Sequence, residues 1–179
     1  CWGYNSFSQL GDGTDTHRST PVDVVGLSSG VASISVGATS ACVATTGGGA
    51  KCWGFNGNGQ LGTGNFTASS TPVDVSGLTS GVASISIGTY HACAVTTGGA
   101  AKCWGYNGHG RLGDGTTTHR LAPVDVTGLT SGVASIDTGG SQTCAATTAG
   151  GARCWGSNTY GQIGDGTSGT NRTTPAQVS

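Results

Sequence analysis

The residues best placed for covalent chemistry are seven cysteines, and their spacing is regular. Cys1, Cys52, Cys103 and Cys154 each open a Cys-Trp-Gly segment, and consecutive members stand 51 positions apart. Cys42, Cys93 and Cys144 follow the same interval. Cys42 and Cys52 flank a hairpin centred on Gly47, which sets them opposite each other on antiparallel strands. Opposed residues at a non-hydrogen-bonded position have Cα atoms about 4.5 Å apart, near the short end of the disulfide range. The expected bonds are Cys42–Cys52, Cys93–Cys103 and Cys144–Cys154. Each closes a loop of about ten residues and stabilises by about 2–3 kcal/mol in the chain-entropy description. Zinc is the weaker reading, because Cys-x9-Cys lacks clustered partners. Regular bridges imply an oxidising compartment, hence an extracellular or cell-surface location. Cys1 is left unpaired, since the partner that the repeat assigns to it would lie upstream.

Other candidate chemistry is sparse. No phosphate-cradling Gly-x-x-x-x-Gly-Lys-Ser/Thr segment is present, and the Gly-rich runs sit in turns. His17 and His119 occupy one repeat position and are followed by Arg18 and Arg120, which reads as exposed loop. Asp12, Asp114 and Asp165 lie in Gly-Asp-Gly-Thr and raise the question of calcium, which takes six to eight oxygens. One unit carries Thr63 there instead, and an Asp stabilising a Gly-rich turn is the simpler account. No cofactor, metal or enzymatic activity is expected.

These side chains must be held by a repeated fold. A period of about 20–50 residues marks a solenoid, propeller or array, because one unit cannot bury its apolar face alone. Each period reads as four strands, here called A to D. Val31–Val36 alternates and ends at Gly37, Ala41–Thr45 is a nearly continuous apolar run, and Ala50–Trp53 follows a Gly turn. A long Gly- and Asn-rich connection leads to Thr71–Val75, whose Pro72 cannot donate to a ladder and marks the outer edge. Four-stranded units of this length predict an all-β protein, a β-propeller of antiparallel blades with A inner and D outer. A parallel β-solenoid is the runner-up, with coils usually much shorter than this period. The expected divisions are a half blade over 1–26 and blades over 27–77, 78–128 and 129–179. The tryptophans of the four units (Trp2, Trp53, Trp104, Trp155) are expected to anchor neighbouring blades.

Composition agrees with this. The chain has 179 residues with 35 glycines, and only 8% of its residues are charged, against a typical ~25%. At regular offsets the glycines punctuate turns and do not mark low complexity. A net charge of −1 leaves no electrostatic footprint for nucleic acid, and no apolar run is long enough for a transmembrane helix. Methionine is absent, and the chain starts inside a blade, so a larger ring is expected.

The runs Trp53-Gly54-Phe55-Asn56-Gly57-Asn58-Gly59-Gln60-Leu61-Gly62 and Trp104-Gly105-Tyr106-Asn107-Gly108-His109-Gly110-Arg111-Leu112-Gly113 resemble the regulator of chromosome condensation repeat family. Gly88-Thr89-Tyr90-His91 is similar to that family's Gly-x-x-His. The resemblance covers the whole chain and implies a seven-bladed ring of the secreted bacterial kind. It does not carry over the exchange activity of the family's nuclear namesake, because no segment stands out as a wedge for a GTPase. Nor does it map the contacts of a similar propeller that inhibits β-lactamases.

Differences between units point to a binding face. The B–C and D–A loops barely change from unit to unit. The A–B loops read Ala38-Thr39-Ser40, Thr89-Tyr90-His91 and Gly140-Ser141-Gln142, and the C–D loops vary as well. Strand alternation puts these two loop sets on one face, so a protein or glycan partner is expected there. Its candidate contacts are Tyr90, His91, Gln142, Phe66, His17, Arg18, His119 and Arg120. Asn65-Phe66-Thr67 and Asn171-Arg172-Thr173 are glycosylation sequons in corresponding C–D loops. The reading is a non-enzymatic extracellular scaffold. The alternative is a structural subunit of an adhesin, sheath or filament, assembled with further copies or the rest of the propeller.

Overall fold

A computed structural model describes all 179 residues. Twelve strands form three four-stranded antiparallel sheets, and no helix is present. The first sheet runs β1 (Val31–Val36), β2 (Ser40–Thr45), β3 (Ala50–Gly54) and β4 (Ser69–Asp74). The second holds β5 (Val82–Ile87), β6 (His91–Thr96), β7 (Ala101–Gly105) and β8 (Arg120–Asp125). The third holds β9 (Val133–Thr138), β10 (Gln142–Thr147), β11 (Ala152–Gly156) and β12 (Arg172–Gln177). Spatial order equals chain order in each sheet, the meander of a propeller blade. These are strands A to D of three successive units, with D shifted two residues upstream of its first expected start.

Sheets pack face to face through their inner halves, β2 and β1 against β5, and β6 and β5 against β9. Close approach there is a requirement on Gly37 and Gly88. A Cβ on Gly37 would collide with the Gly88 carbonyl, and one on Gly88 with the Gly139 carbonyl. The core between the first two sheets contains Ala44, Leu61, Ile85, Ile87, Ala92 and Trp104. That between the second and third contains Val95, Leu112, Val126, Ile136, Ala145 and Trp155.

Trp53, Trp104 and Trp155 are fully buried and bind the preceding unit. Their indole N–H groups donate to the carbonyls of Gln9, Gln60 and Arg111, each at 2.9 Å. Trp2 is 65% exposed. Ile34 and Val36 are exposed on β1, while their counterparts Ile85 and Ile87 are buried. With Trp2, Tyr4 and Leu10 they line an open apolar cleft.

Residues 1–26, where a C–D half unit is expected, form no regular strand. A single bridge joins Gly3 to Arg18, and Cys1 and Val22 exchange backbone hydrogen bonds. The Cys1–Tyr4 segment is paired on one side only, through Arg18 and Val22.

Candidate functional site

The A–B turns and C–D connections share one face because they are hydrogen-bonded together. Phe55, Tyr106 and Ser157 donate their backbone N–H to the carbonyls of Thr39, Tyr90 and Ser141. On the other face the Val82 and Val133 amides, which follow the D–A loops, donate to Gly48 and Gly99 of the B–C hairpins. The loop sets that vary between units therefore lie together.

A buried asparagine organises each C–D connection. Asn56 Oδ1 accepts the Leu61 N–H at 2.9 Å, and its amide donates to the carbonyls of Asn65 and Thr67, each at 3.0 Å. Asn5, Asn107 and Asn158 do the corresponding work in their own units. The Asp of Gly-Asp-Gly-Thr closes the next turn. Asp12 accepts from the Thr14 N–H at 3.0 Å and the Thr14 hydroxyl at 2.7 Å, and pairs with Arg18 at 2.9 Å. Asp114–Arg120 and Asp165–Arg172 repeat the pair at 2.8 and 2.6 Å. Where Thr63 replaces the Asp, Ser69 replaces the Arg, and Asn65 accepts from the Thr67 N–H. These carboxylates titrate low. The hydrogen bond from the Thr14 hydroxyl, with Arg18, holds Asp12 down at about 2, and Thr167 with Arg172 does the same for Asp165. Burial pushes Asp114 up, but its bonds from Thr116, Arg120 and Asn107 outweigh this and lower it.

Several expected contact residues have internal work. His17 Nδ1 accepts the Asn5 N–H at 2.9 Å, and His119 Nδ1 accepts that of Asn107 at 3.0 Å. Asn171 Oδ1 takes this role for Asn158 at 3.1 Å. Arg18 and Arg120 are held by Asp12 and Asp114, so the His-Arg pairs are loop braces with partly exposed surfaces. His91 requires a correction. It is fully buried, its Nε2 lies 2.8 Å from the Thr143 hydroxyl, and it has no surface to offer a partner. Position 91 begins β6 and points into the sheet-to-sheet contact, which loop variation alone does not reveal. Burial, with the nearby Arg111 charge, lowers its pKa to about 3. Tyr90 and Phe66 are exposed and Gln142 is half-buried. Asn65 and Asn171 are exposed, and the Asn171 amide lies 3.2 Å from His109 Nδ1.

Residue types and spacing alone do not mark an aromatic set that lies on this face. The variable residue of Trp-Gly-x-Asn is Tyr4, Phe55 and Tyr106 in three units. Tyr4 stacks on His17 at 4.8 Å between ring centroids, and Phe7 meets Phe55 edge-on at 5.6 Å. Tyr106 lies 4.3 Å from His119 and 6.1 Å from Tyr90, with the Arg111 guanidinium 4.8 Å above its ring. Arg111 is only 2% exposed, and burial lowers its pKa.

The six cysteines pair as Cys42–Cys52, Cys93–Cys103 and Cys144–Cys154, with Cα atoms 4.0, 4.1 and 4.1 Å apart. Cys1 is free and half-buried.

Meandering four-stranded sheets, stacked through tryptophans and braced by Asn-centred loops, define a β-propeller repeat protein. The Regulator of chromosome condensation (RCC1) repeat matches residues 1–44, 52–95 and 103–146, and the chain belongs to that family. Each matched block starts at strand C of one unit and ends in strand B of the next. The RCC1 domain-containing protein RUG3, mitochondrial, of Arabidopsis thaliana is 32% identical over 162 residues, covering 89% of this chain and 36% of that protein. The Ultraviolet-B receptor UVR8 of the same plant is 30% identical over 181 residues, covering 99% and 41%. Human WBSCR16 superimposes with a TM-score of 0.84 at 20% identity, over 99% of this chain and 46% of its own. Yeast RCC1 (Prp20), solved bound to Kap60, gives 0.83 at 20%, over 99% and 44%. This chain thus spans less than half the length of each of these relatives.

Proposed function

We propose that this chain is a non-enzymatic propeller scaffold that binds a protein partner through the face carrying the A–B and C–D loops. The observation that carries this is the aromatic set of that face, in which exposed Tyr4, Phe7 and Tyr90 stand with half-buried Phe55 and Tyr106 within one layer of unit-specific loops. Aromatic residues are enriched at interface cores, because they offer large rigid area at low entropy cost. The solved complex of yeast RCC1 with Kap60 supports a protein partner over a glycan for this architecture. Three disulfides support an oxidising compartment and an extracellular working site, where Asn65 and Asn171 are exposed as glycan acceptors.

The test is capture of partners from the extracellular medium of the source cells by immobilised protein, read by mass spectrometry. Alanine at Tyr90, Phe66, Gln142 and Tyr106 should abolish a saturable partner, while alanine at Thr46, Thr97 and Thr148 on the opposite face should leave it. The reverse pattern defeats the proposal. Exposed Trp2, Ile34 and Val36 favour a second reading, end-to-end assembly into a surface polymer. Light scattering separates the two, since assembly raises the mass with concentration and Ile34→Ser with Val36→Ser prevents it.

A further inference from the structure

Position 111 breaks a pattern inside this chain. Its equivalents are Gln9, Gln60 and Gln162, whose side-chain oxygens accept the backbone N–H of Phe7, Asn58 and Tyr160 at 3.0, 3.0 and 2.8 Å. Arginine has no acceptor and cannot do this work. Instead it brings a full positive charge into a site that is 98% shielded, a location where charges ordinarily have an ionic partner. Arg111 has none. The ion pairs of the chain are Arg18–Asp12, Lys51–Asp74, Lys102–Asp125, Arg120–Asp114 and Arg172–Asp165.

The unused part of the side chain can be specified. Arg111 Nη1 donates to the Gly140 carbonyl in the next unit's A–B turn, and the planar head lies over Tyr106. Nε is buried with no partner, and Nη2 makes no hydrogen bond. The other loop arginines show what this edge does here. Arg18 and Arg120 each place both Nε and Nη2 within 2.9 Å of one aspartate oxygen, and Arg172 Nε binds Asp165 at 2.6 Å. The same edge of Arg111 lacks its carboxylate. Tyr106 flanks it, and beside Tyr106 stands Tyr90, which is 44% exposed.

We infer that Arg111 anchors a binding site for a carboxylate, supplied by an Asp or Glu side chain of a peptide partner, with Tyr90 and Tyr106 as its walls. The two carboxylate oxygens take the Nε–H and Nη2–H donors side-on, the planar match that arginine makes with carboxylates. Binding moves the Tyr90 ring aside and balances a charge that the free protein leaves unpaired. The inference deepens the reading of this face as a protein-binding surface and rests on it.

The test uses the intact chain and two capped tetrapeptides, acetyl-Gly-Glu-Glu-Gly-amide and acetyl-Gly-Gln-Gln-Gly-amide, with sodium sulfate as a third arm. Proton–nitrogen NMR follows the Arg111 Nε–H signal, assigned by its loss in Arg111→Gln. This variant installs the residue that the other units carry, so it retains the fold, which thermal unfolding verifies. The Glu peptide should shift the Nε–H and Tyr90 ring signals saturably, and the Gln peptide should not. Arg111→Gln should weaken Glu-peptide binding roughly 30-fold or more, the loss expected when a buried charge pair loses one member. An Nε–H signal that ignores the Glu peptide, one that answers sulfate alone, or an Arg111→Gln variant that binds equally well overturns the inference. If Arg111→Gln keeps the captured partner while the Tyr90 and Phe66 alanine variants lose it, the carboxylate site fails and the binding face stands.

Discussion

Trp104 donates its indole N–H to the carbonyl of Gln60, 44 residues earlier, across the boundary between two sheets. The ring also fixes Gly62, where any Cβ would lie 2.7 Å from Trp104 Nε1 at a φ of +69°. The contact is the rivet between successive units, whereas Trp2 is 65% exposed and makes no such contact. Trp104→Ala should therefore lower unfolding free energy by about 3–5 kcal/mol, the range for truncating a buried large aromatic. Trp2→Ala should stay within about 0.5 kcal/mol, as exposed substitutions do. Urea denaturation followed by circular dichroism measures both. Equal effects would show that the indole is not an inter-unit anchor.

Acid sensitivity should be traceable to His91. Buried beside Arg111, its ring titrates near 3 in the folded chain, against about 6.5 when unfolded. A depressed folded-state pKa means that the unfolded chain takes up the proton first. Stability from neutral His91 is thus complete above pH 6.5 and falls as pH drops toward 3. Asp12 and Asp165, lowered to about 2, keep their contribution down to about pH 4 and lose it between there and 2. The loss between pH 6.5 and 4.5 should vanish in His91→Gln, which carries the residue that stands at the equivalent Gln142. Denaturant midpoints across this range give the answer.

The Asp–Arg brace should behave as a unit. Asp114 is nearly enclosed, with 6% of its side chain exposed, so Arg120→Ser leaves a carboxylate short of a partner. The expected cost is about 1–3 kcal/mol. Adding Asp114→Thr and Thr116→Asn transplants the set found at Thr63, Asn65 and Ser69, and should recover most of it. Thermal melts of the single and triple variants suffice. A triple variant less stable than Arg120→Ser would mean that the two loop designs are not interchangeable.

What could be read from the residues divides by sequence distance. The cysteine pairs, the strand order and the four-stranded unit were legible, because hairpin neighbours and period-two alternation are local signals. The tryptophans were legible as anchors, but their acceptors were not, since a backbone carbonyl in another unit has no residue-type signature. The Asp–Arg brace left a trace, the joint replacement at Thr63 and Ser69, visible only once both positions are compared together. Loop variation does not tell His91 from a surface residue, because variation marks both exposed loops and buried contacts at a sheet end. The unpaired charge of Arg111 could not be seen without knowing which acids stand near it.

Thiol chemistry should order the cysteines by exposure. Cys42, Cys52, Cys93 and Cys103 have no accessible surface, whereas Cys144 is half-buried on the third sheet. Access governs the attack of a reductant on a disulfide. The native chain should therefore alkylate at one thiol, Cys1, and limited phosphine reduction should next label Cys144 and Cys154. The other four should label only as the chain unfolds. Replacing Cys93 and Cys103 together by alanine should cost about 2–3 kcal/mol, the closure entropy of a ten-residue loop. Peptide mapping after timed alkylation reads the order, and labelling of Cys42 or Cys93 ahead of Cys144 would contradict the packing described for the sheets.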